Sequence, residues 1–204
     1  MSEQNYRTLR FDEITVQRNR GEEVAKAINA KGIDGSQTLG VFIPMIGVSA
    51  NMVTTITNWT GEPQAATYHD DKIVSVRTRL LDTLARGQTP CTADGIYTHR
   101  WFMCAPEHVK TLTDTSVEAW KTMEEDSEAR IAGFWLDRER NAKGEAVVLM
   151  IVYYPSLAIW DATRYWKPKP KEHAQPNRDT WGGLFAQRRE ILLDSFVTIH
   201  RLAK

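Results

Sequence analysis

The stretch Gly95-Ile-Tyr-Thr-His-Arg-Trp-Phe-Met-Cys104 has the two-residue alternation of a β-strand. Tyr97, His99 and Trp101 lie on one face of that strand, and Arg100 lies on the other. A strand that only fills a core needs neither an imidazole nor a guanidinium, because both are costly to bury. The stretch therefore predicts a strand that carries chemistry, and the face that borders a cavity decides which chemistry.

Regular elements are predicted on both sides of this strand. In the first half, hydrophobic periodicity and turn residues predict strands over 6–16, 40–47, 51–59 and 72–84, a helix over 22–30, and a short helix or loop over 62–71. Residues 86–95 read as a linker. In the second half, the pattern predicts helices over 106–123 and 180–193, a helix start near Ser156, strands over 131–138, 145–154 and 195–202, and an exposed loop over 166–178.

Each half thus has the order strand–helix–strand–strand–helix–strand, which is that of a ferredoxin-like unit. The halves also echo each other, since Leu9-Arg10-Phe11 matches His99-Arg100-Trp101. We therefore expect an α+β protein of two tandem ferredoxin-like modules, 5–86 and 93–204. Their sheets are expected to pack into an intrachain barrel with a cavity between them.

Composition narrows the classes of partner. The 26 basic residues balance the 26 acidic ones, which argues against a nucleic-acid surface. No apolar run reaches membrane-spanning length, and the first residues lack a secretory signal, so a cytoplasmic protein is expected. A net charge of zero permits self-association into a homodimer. Cys91 and Cys104 are expected to be reduced, and no zinc-ligand spacing is present.

His99 and Arg100 are the candidate catalytic residues. A histidine has an ordinary pKa near neutral pH and can act as a general base, and an arginine can stabilise an oxyanion. The alternative for His99 is a buried histidine that is hydrogen-bonded across the sheet. In the first half, Leu9 occupies the position that matches His99, whereas Arg10 matches Arg100. This asymmetry favours His99 as the residue specific to the chemistry.

Six further residues are candidates for binding a substrate. Aromatic rings suit a flat apolar ligand, a second imidazole can share a cavity, and paired arginines can clamp a carboxylate. The set comprises Tyr97, Trp101, Trp135, Tyr153, Arg10 and His200. Ordinary core packing is the alternative for the rings. For Arg10 it is an ion pair with an acidic neighbour such as Asp12.

Three motifs of the second half resemble one known family. They are Tyr97-Thr-His-Arg-Trp-Phe102, Ala129-Arg-Ile-Ala-Gly-Phe-Trp135 and Tyr153-Tyr-Pro-Ser-Leu-Ala-Ile-Trp160. With the weaker likeness of the first half, the chain is similar to the NIPSNAP-like branch of the dimeric α+β barrel superfamily over nearly its whole length. The lysine- and proline-rich loop after Trp166 departs from that pattern.

The resemblance implies a range of activities, because this superfamily contains cofactor-independent monooxygenases, isomerases, lyases and dehydratases, and also haem-binding members. We expect an enzyme that needs no cofactor and acts on a small apolar or aromatic compound through proton abstraction by His99. The alternative is a protein that binds haem or another hydrophobic ligand without catalysis, with His99 or His200 as the axial ligand. A third reading is an interaction protein whose repeat serves only folding or assembly.

Overall fold

Eight stretches of alternating or continuous apolar residues form β-strands in the computed structural model, which describes residues 8–33, 35–61, 63, 68, 70–169 and 174–204. The strands are β1 (Thr8–Val16), β2 (Ser36–Ile46), β3 (Met52–Trp59), β4 (Ile73–Arg86), β5 (Ile96–Cys104), β6 (Arg130–Asp137), β7 (Ala146–Tyr154) and β8 (Leu192–Leu202). The helices are α1 (Gly21–Lys31), α2 (Val109–Asp126), α3 (Leu157–Ala162) and α4 (Arg178–Glu190), and a 3₁₀ turn over Pro106–His108 precedes α2.

Most predicted elements are confirmed, including the strand, rather than a helix, at β4. Ser156 caps α3 as expected, since its hydroxyl accepts a hydrogen bond from the Ile159 amide at 3.3 Å. The helix or loop predicted over 62–71 lies largely outside the described residues.

The predicted loop over 166–178 is shortened, because α4 begins at Arg178. The Arg178 side chain donates to the backbone oxygens of Ala162, Arg164 and Lys167, and these bonds hold the start of the helix against the chain before it. β8 begins at Leu192 rather than at the predicted residue 195. Its first two residues therefore lie where the helix over 180–193 had been predicted to end. No local periodicity marks either boundary.

The strands form a closed antiparallel barrel in the order β1-β3-β2-β8-β5-β7-β6-β4. The strands of each half are therefore adjacent, with β1 between β3 and β4 and with β5 between β7 and β8. The halves meet at two seams, where β2 pairs with β8 and β4 pairs with β6. Both seams are short: the first joins residues 42–46 to 199–202, and the second joins 81–86 to 133–137.

Side chains from both halves fill the barrel. The interior cluster comprises Leu9, Phe11, Leu39, Phe42, Ile56, Leu81, Tyr97, Trp101, Met103, Trp135, Val147, Leu149 and Ile151. Trp135 lies across Gly133 so closely that a Cβ at Gly133 would be 2.0 Å from the indole ring. Glycine at this position thus gives the largest side chain room to lie flat inside the barrel.

Helices cover the outer face. α2 and α4 pack on the second half through an apolar cluster that includes Phe102, Trp120 and Trp181, and α1 packs on the first half through Val24 and Ile28. No helix among the residues described is long and apolar enough to cross a membrane.

Candidate functional site

The two faces of β5 point into different environments. Tyr97, His99 and Trp101 face the barrel interior, where the side chain of His99 lies among the rings of Phe11 and Phe42 at centroid distances of 5.8 and 4.8 Å. Arg100 faces outward, toward α4 and the segment after α3. Residues adjacent on a strand point to opposite faces, so His99 and Arg100 do not reach one substrate.

His99 and His200 stack inside the barrel, with ring centroids 3.9 Å apart. Neither ring nitrogen of His99 has a hydrogen-bond partner among the described residues, whereas Nε2 of His200 lies 2.7 Å from the Thr198 hydroxyl. Burial, followed by the proximity of His200, holds the pKa of His99 well below its ordinary value. Burial lowers the pKa of His200 to about 4, so both rings are neutral at pH 7.

The other aromatic candidates also lie on the interior side. Trp101 packs edge-on against Phe11, and Trp135 is almost fully buried. Tyr97 and Tyr153 lie at one end of the barrel, where they line a cavity of about 540 Å³ beneath the linker that carries Cys91. Their hydroxyls donate to the backbone oxygens of Ala93 and Asp94, and these bonds tie the linker over that end.

Arg10 lies on the outer face of β1, and its role is the structural ion pair that was the alternative to substrate binding. It forms a buried ion pair with Asp12, in which Nε lies 2.9 Å from Oδ1. Thr78 and Tyr68 donate to the same carboxylate, each at 2.6 Å. Burial, then the charge of Asp12, raises the pKa of the Tyr68 phenol, which therefore stays protonated as a donor. Arg10 is thus separated from Arg100, and the two do not form a clamp.

Arg100 opens onto a different site, formed between the outer face of the second half and the helices. We call it the arginine pocket and define it by Arg100, Arg164 and Arg188, which line both a cavity of about 550 Å³ and a narrow recess of about 40 Å³. β5 positions Arg100, α4 positions Arg188, and the turn after α3 positions Arg164. Aromatic side chains form much of the wall, namely Phe102, Trp120, Tyr154, Tyr165, Trp166, Phe185 and Phe196.

Three buried or half-buried arginines come together here without a carboxylate, and the exposed Arg189 also lines the larger cavity. None of the three arginines forms an ion pair with an acidic residue in the described part of the chain. Arg188 is 6% exposed; it donates to the Ser116 hydroxyl at 3.2 Å, and its Nε has no described partner. Burial, followed by the charge of Arg100, lowers the pKa of Arg188 to about 9. The same two causes lower the pKa of Arg164, although Tyr154 and Asp161 oppose them.

Rings hold the guanidinium groups in place. Arg188 lies over Phe102 and Phe185 at 4.8 and 4.4 Å, and Arg164 lies over Trp160 at 3.7 Å. Such stacking stabilises a cation and leaves its N–H edge free to donate. The described residues lining the pocket include no histidine, cysteine or carboxylate. The pocket is therefore suited to binding an anion or stabilising a developing negative charge.

Arg164 and Arg188 were not predicted from the sequence. They come from separate elements with no shared motif, and Arg164 lies near the predicted loop. One available signal was the composition of α4, whose sequence Arg178–Glu190 places arginines next to aromatic residues in a predicted amphipathic helix.

No protein-family model matches this chain, and no curated protein sequence matches it. Solved structures do match. An anthrone oxidase-like protein superposes with a TM-score of 0.63 at 13% identity, covering 100% of this chain and 94% of the other. A candidate monooxygenase from Lactobacillus acidophilus NCFM gives 0.60 at 8% identity, covering 98% and 95%. An uncharacterised ferredoxin-fold protein from Listeria monocytogenes 4b F2365, related to antibiotic biosynthesis monooxygenases, gives 0.50 at 11% identity, covering 100% and 99%.

The chain has an α+β fold with a closed antiparallel sheet, and its structural neighbours include a ferredoxin-fold protein. Its antiparallel sheet and its outer helices match these neighbours over nearly the whole length of both chains. At such low identity the likeness establishes the fold alone, and function has to be argued from the site.

Proposed function

We propose that this protein is a cofactor-independent enzyme of the monooxygenase type, which acts on a small aromatic compound in the arginine pocket. The observation that carries the proposal is the meeting of three guanidinium groups, without a carboxylate, in a cavity walled by aromatic rings. Such a site binds a flat molecule and favours the form of it that carries negative charge.

The chemistry follows from that preference. An aromatic compound with an enolisable or phenolic group loses a proton more easily beside cations, since they lower its pKa. The resulting electron-rich anion can reduce O₂ directly, which is why no flavin or metal is required. Arg100 and Arg188 stabilise the oxyanion, while the rings of Tyr165 and Trp166 orient the substrate. No strong base is needed when the substrate itself is acidic, and the proton leaves to solvent.

This proposal moves the reaction away from His99. A substrate could reach His99 only if the barrel opened, because the imidazole is 1% exposed and rings pack around it. The arginine pocket needs no such opening, since Trp166 at its rim is 55% exposed.

We further infer that the chain consists of two ferredoxin-like modules, because the strand order within each half is the same: β4-β1-β3-β2 and β8-β5-β7-β6 both place the fourth strand of the half beside the first, then the third and then the second. Membership of the NIPSNAP-like branch remains our proposal and is supported by the three second-half motifs.

Anthrone is a suitable first substrate, because its central methylene group is acidified by the neighbouring carbonyl group and because one neighbour is named for anthrone oxidase. Turnover consumes one O₂ for each anthrone and yields anthraquinone and water. We expect Arg100→Gln to lower kcat by roughly a hundredfold, the usual effect of losing one oxyanion donor. The measurement is O₂ uptake, corrected for the uncatalysed reaction.

Arg77→Gln is the matched control, since Arg77 is an exposed arginine on β4 and lies outside the pocket. His99→Leu discriminates between the two sites. Loss of activity in His99→Leu together with full activity in Arg100→Gln would move the reaction to the barrel interior and overturn the proposal.

A second candidate is a binding protein for hydrophobic anions that performs no catalysis. It is favoured by one observation: the described lining offers no histidine or carboxylate as a general base. For the same reason the pocket provides no imidazole or thiolate to ligate haem iron, and the two buried imidazoles are stacked on each other inside the barrel. Ligand binding without O₂ uptake would favour this candidate, and no Soret shift is expected on adding haem.

A further inference from the structure

The first half of the chain contains a filled counterpart of the arginine pocket. β1 and β5 are the middle strands of their halves, and Arg10 on β1 matches Arg100 on β5. Two residues after Arg10, on the same face of the strand, Asp12 supplies a fully buried carboxylate. Arg10, Tyr68 and Thr78 all donate to it, so the chain itself provides the anion.

The second half lacks that internal anion. Phe102 stands where the first half has Asp12, again two residues after the arginine and on the same face. Its ring packs beneath the guanidinium of Arg188, whose carbon lies 4.8 Å from the ring centroid. The carboxylate has thus been replaced by an apolar surface, while the single matched arginine has been joined by Arg164 and Arg188, and by the exposed Arg189 at the cavity wall.

Burying uncompensated charge is costly, and these cations have no carboxylate partner among the described residues. Nε of Arg188 and Nε of Arg100 are both buried without a hydrogen-bond partner in the described residues. A buried donor normally has an acceptor, so an acceptor from outside the chain is indicated. A bound carboxylate would satisfy these N–H groups in the way that Asp12 satisfies Arg10.

The shape of the cavity indicates what is attached to that carboxylate. The narrow recess of about 40 Å³ is lined by Trp120 and Met123, the wider part of about 550 Å³ is lined by Phe102 and Phe196, and Arg188 lines both. A small charged group fits the recess region, whereas the wider part, bounded by rings, accommodates a flat apolar body.

We propose that Arg100, Arg164 and Arg188 bind the carboxylate of an aromatic acid, which takes the place that Asp12 occupies in the first half. This inference rests on the pocket being the substrate site, as proposed above, and it adds aromatic compounds that carry a carboxylate to the anions that the pocket binds; anthrone tests the oxyanion alone.

The test compares two probes by calorimetric titration in the absence of turnover. 2-Naphthoate carries the carboxylate, and 2-naphthalenemethanol is its neutral counterpart of similar shape. The native protein is expected to bind 2-naphthoate roughly ten- to a hundredfold more tightly, because hydrogen bonds to a charged group are stronger than neutral ones. Arg100→Gln and Arg164→Gln should each remove most of that preference, and Arg77→Gln should keep it.

Phe102→Asp transplants the arrangement of the first half into the second. The new carboxylate would lie beside Arg100 as Asp12 lies beside Arg10, and it should abolish binding of 2-naphthoate while sparing the neutral alcohol. Circular dichroism establishes that this variant folds. If it does not fold, the two arginine variants carry the test. Equal affinity for the two probes, absence of 2-naphthoate binding at millimolar concentration, or an unchanged preference in both arginine variants would overturn the inference.

The outcomes separate this inference from the enzymatic proposal. An arginine-dependent preference for 2-naphthoate, without O₂ uptake on any aromatic substrate, would support the carboxylate-binding site and contradict the enzymatic function. Turnover of anthrone without a preference for 2-naphthoate would do the reverse.

Discussion

At the scale of single residues, the stacked pair His99 and His200 is the most unusual feature of the barrel interior. Leu9 fills the position in the first half that matches His99, and both ring nitrogens of His99 lack a described partner. The imidazole therefore contributes packing area at the cost of unsatisfied polar atoms. Its neighbours within ring-contact distance are Phe11, Phe42 and His200, none of which carries a negative charge that would stabilise a proton on it.

We expect the histidine pair to make the protein sensitive to acid. Both folded-state pKa values lie below the ordinary value of 6.5, so the unfolded chain binds more protons once the pH falls below that value. Above pH 6.5 both rings are neutral in the folded and the unfolded chain, and the free energy of unfolding is not reduced by them. The free energy of unfolding falls as the pH drops from 6.5 toward the pKa in the folded protein, which is about 4 for His200. Within that pH range each histidine lowers the free energy of unfolding by roughly 1.4 kcal/mol for each pH unit of acidification.

His99→Leu tests this expectation. Urea unfolding measured between pH 4.5 and 7.5 should show a weaker loss of stability on acidification than in the native protein, and equal or greater stability at pH 7.5. His108→Gln serves as a control, because His108 is only half-buried in the turn before α2. An identical pH dependence in the native protein and in His99→Leu would contradict the prediction.

At the scale of elements, α4 connects the pocket to the rest of the molecule. Its start is held by Asp126 at the end of α2, which accepts hydrogen bonds from the Asn177 amide, the Asn177 side chain and the Trp181 indole at 2.8, 2.9 and 2.9 Å. A negative charge at this end also complements the helix dipole. One carboxylate therefore positions the helix that carries Arg188.

Asp126→Ala should loosen α4 and weaken the pocket together. We expect a loss of roughly 3 kcal/mol in the free energy of unfolding, since buried donors are left unpaired. Affinity for 2-naphthoate should fall as well, although Asp126 does not line the pocket cavities. Asp114→Ala is the matched control: Asp114 lies on the exposed side of α2 and, among the described residues, forms its ion pair with Lys110 at the surface, so a change within about 0.5 kcal/mol is expected. Undiminished affinity in Asp126→Ala would contradict this role.

The individual elements were largely predictable from the sequence, whereas the way they pack together was not. Strands such as β5 and β7 were predictable because their period and apolar content are local properties of the chain. The choice of face on β5 was not, since it depends on which neighbours the barrel brings together. The pocket was also out of reach, because Arg164 and Arg188 meet Arg100 only through the packing of α4 and the turn after α3 on the sheet. The ion pair of Arg10 with Asp12 was among the alternatives, because the two residues share one face of one strand.

At the scale of the whole molecule, the two halves share one interior. The cluster inside the barrel combines residues such as Leu9 and Leu81 from the first half with Trp101 and Leu149 from the second. Neither half by itself can bury these residues, because the barrel closes only when both seams form. The protein should therefore unfold as one unit despite its repeated pattern.

Paired core substitutions test this cooperativity. Leu81→Ala and Leu149→Ala each remove a fully buried side chain, one from each half, and each should cost about 2–5 kcal/mol. Both variants should shift a single urea transition that looks the same by tryptophan fluorescence and by circular dichroism. Two separate transitions, or a substitution that moves only one signal, would indicate halves that unfold independently.

The short seam between β2 and β8 has a consequence for how a ligand enters. Residues 192–198 of β8 pair with β5 and, in the described part of the chain, with no other strand. The same segment supplies Ser195, Phe196 and Val197 to the pocket wall. One wall is thus a ribbon hinged along a single ladder of hydrogen bonds, while the rest of the site sits on the closed barrel. A strand paired on one side only is expected to open locally more readily than the strands of the closed barrel, so this wall is expected to adjust to ligands of different size.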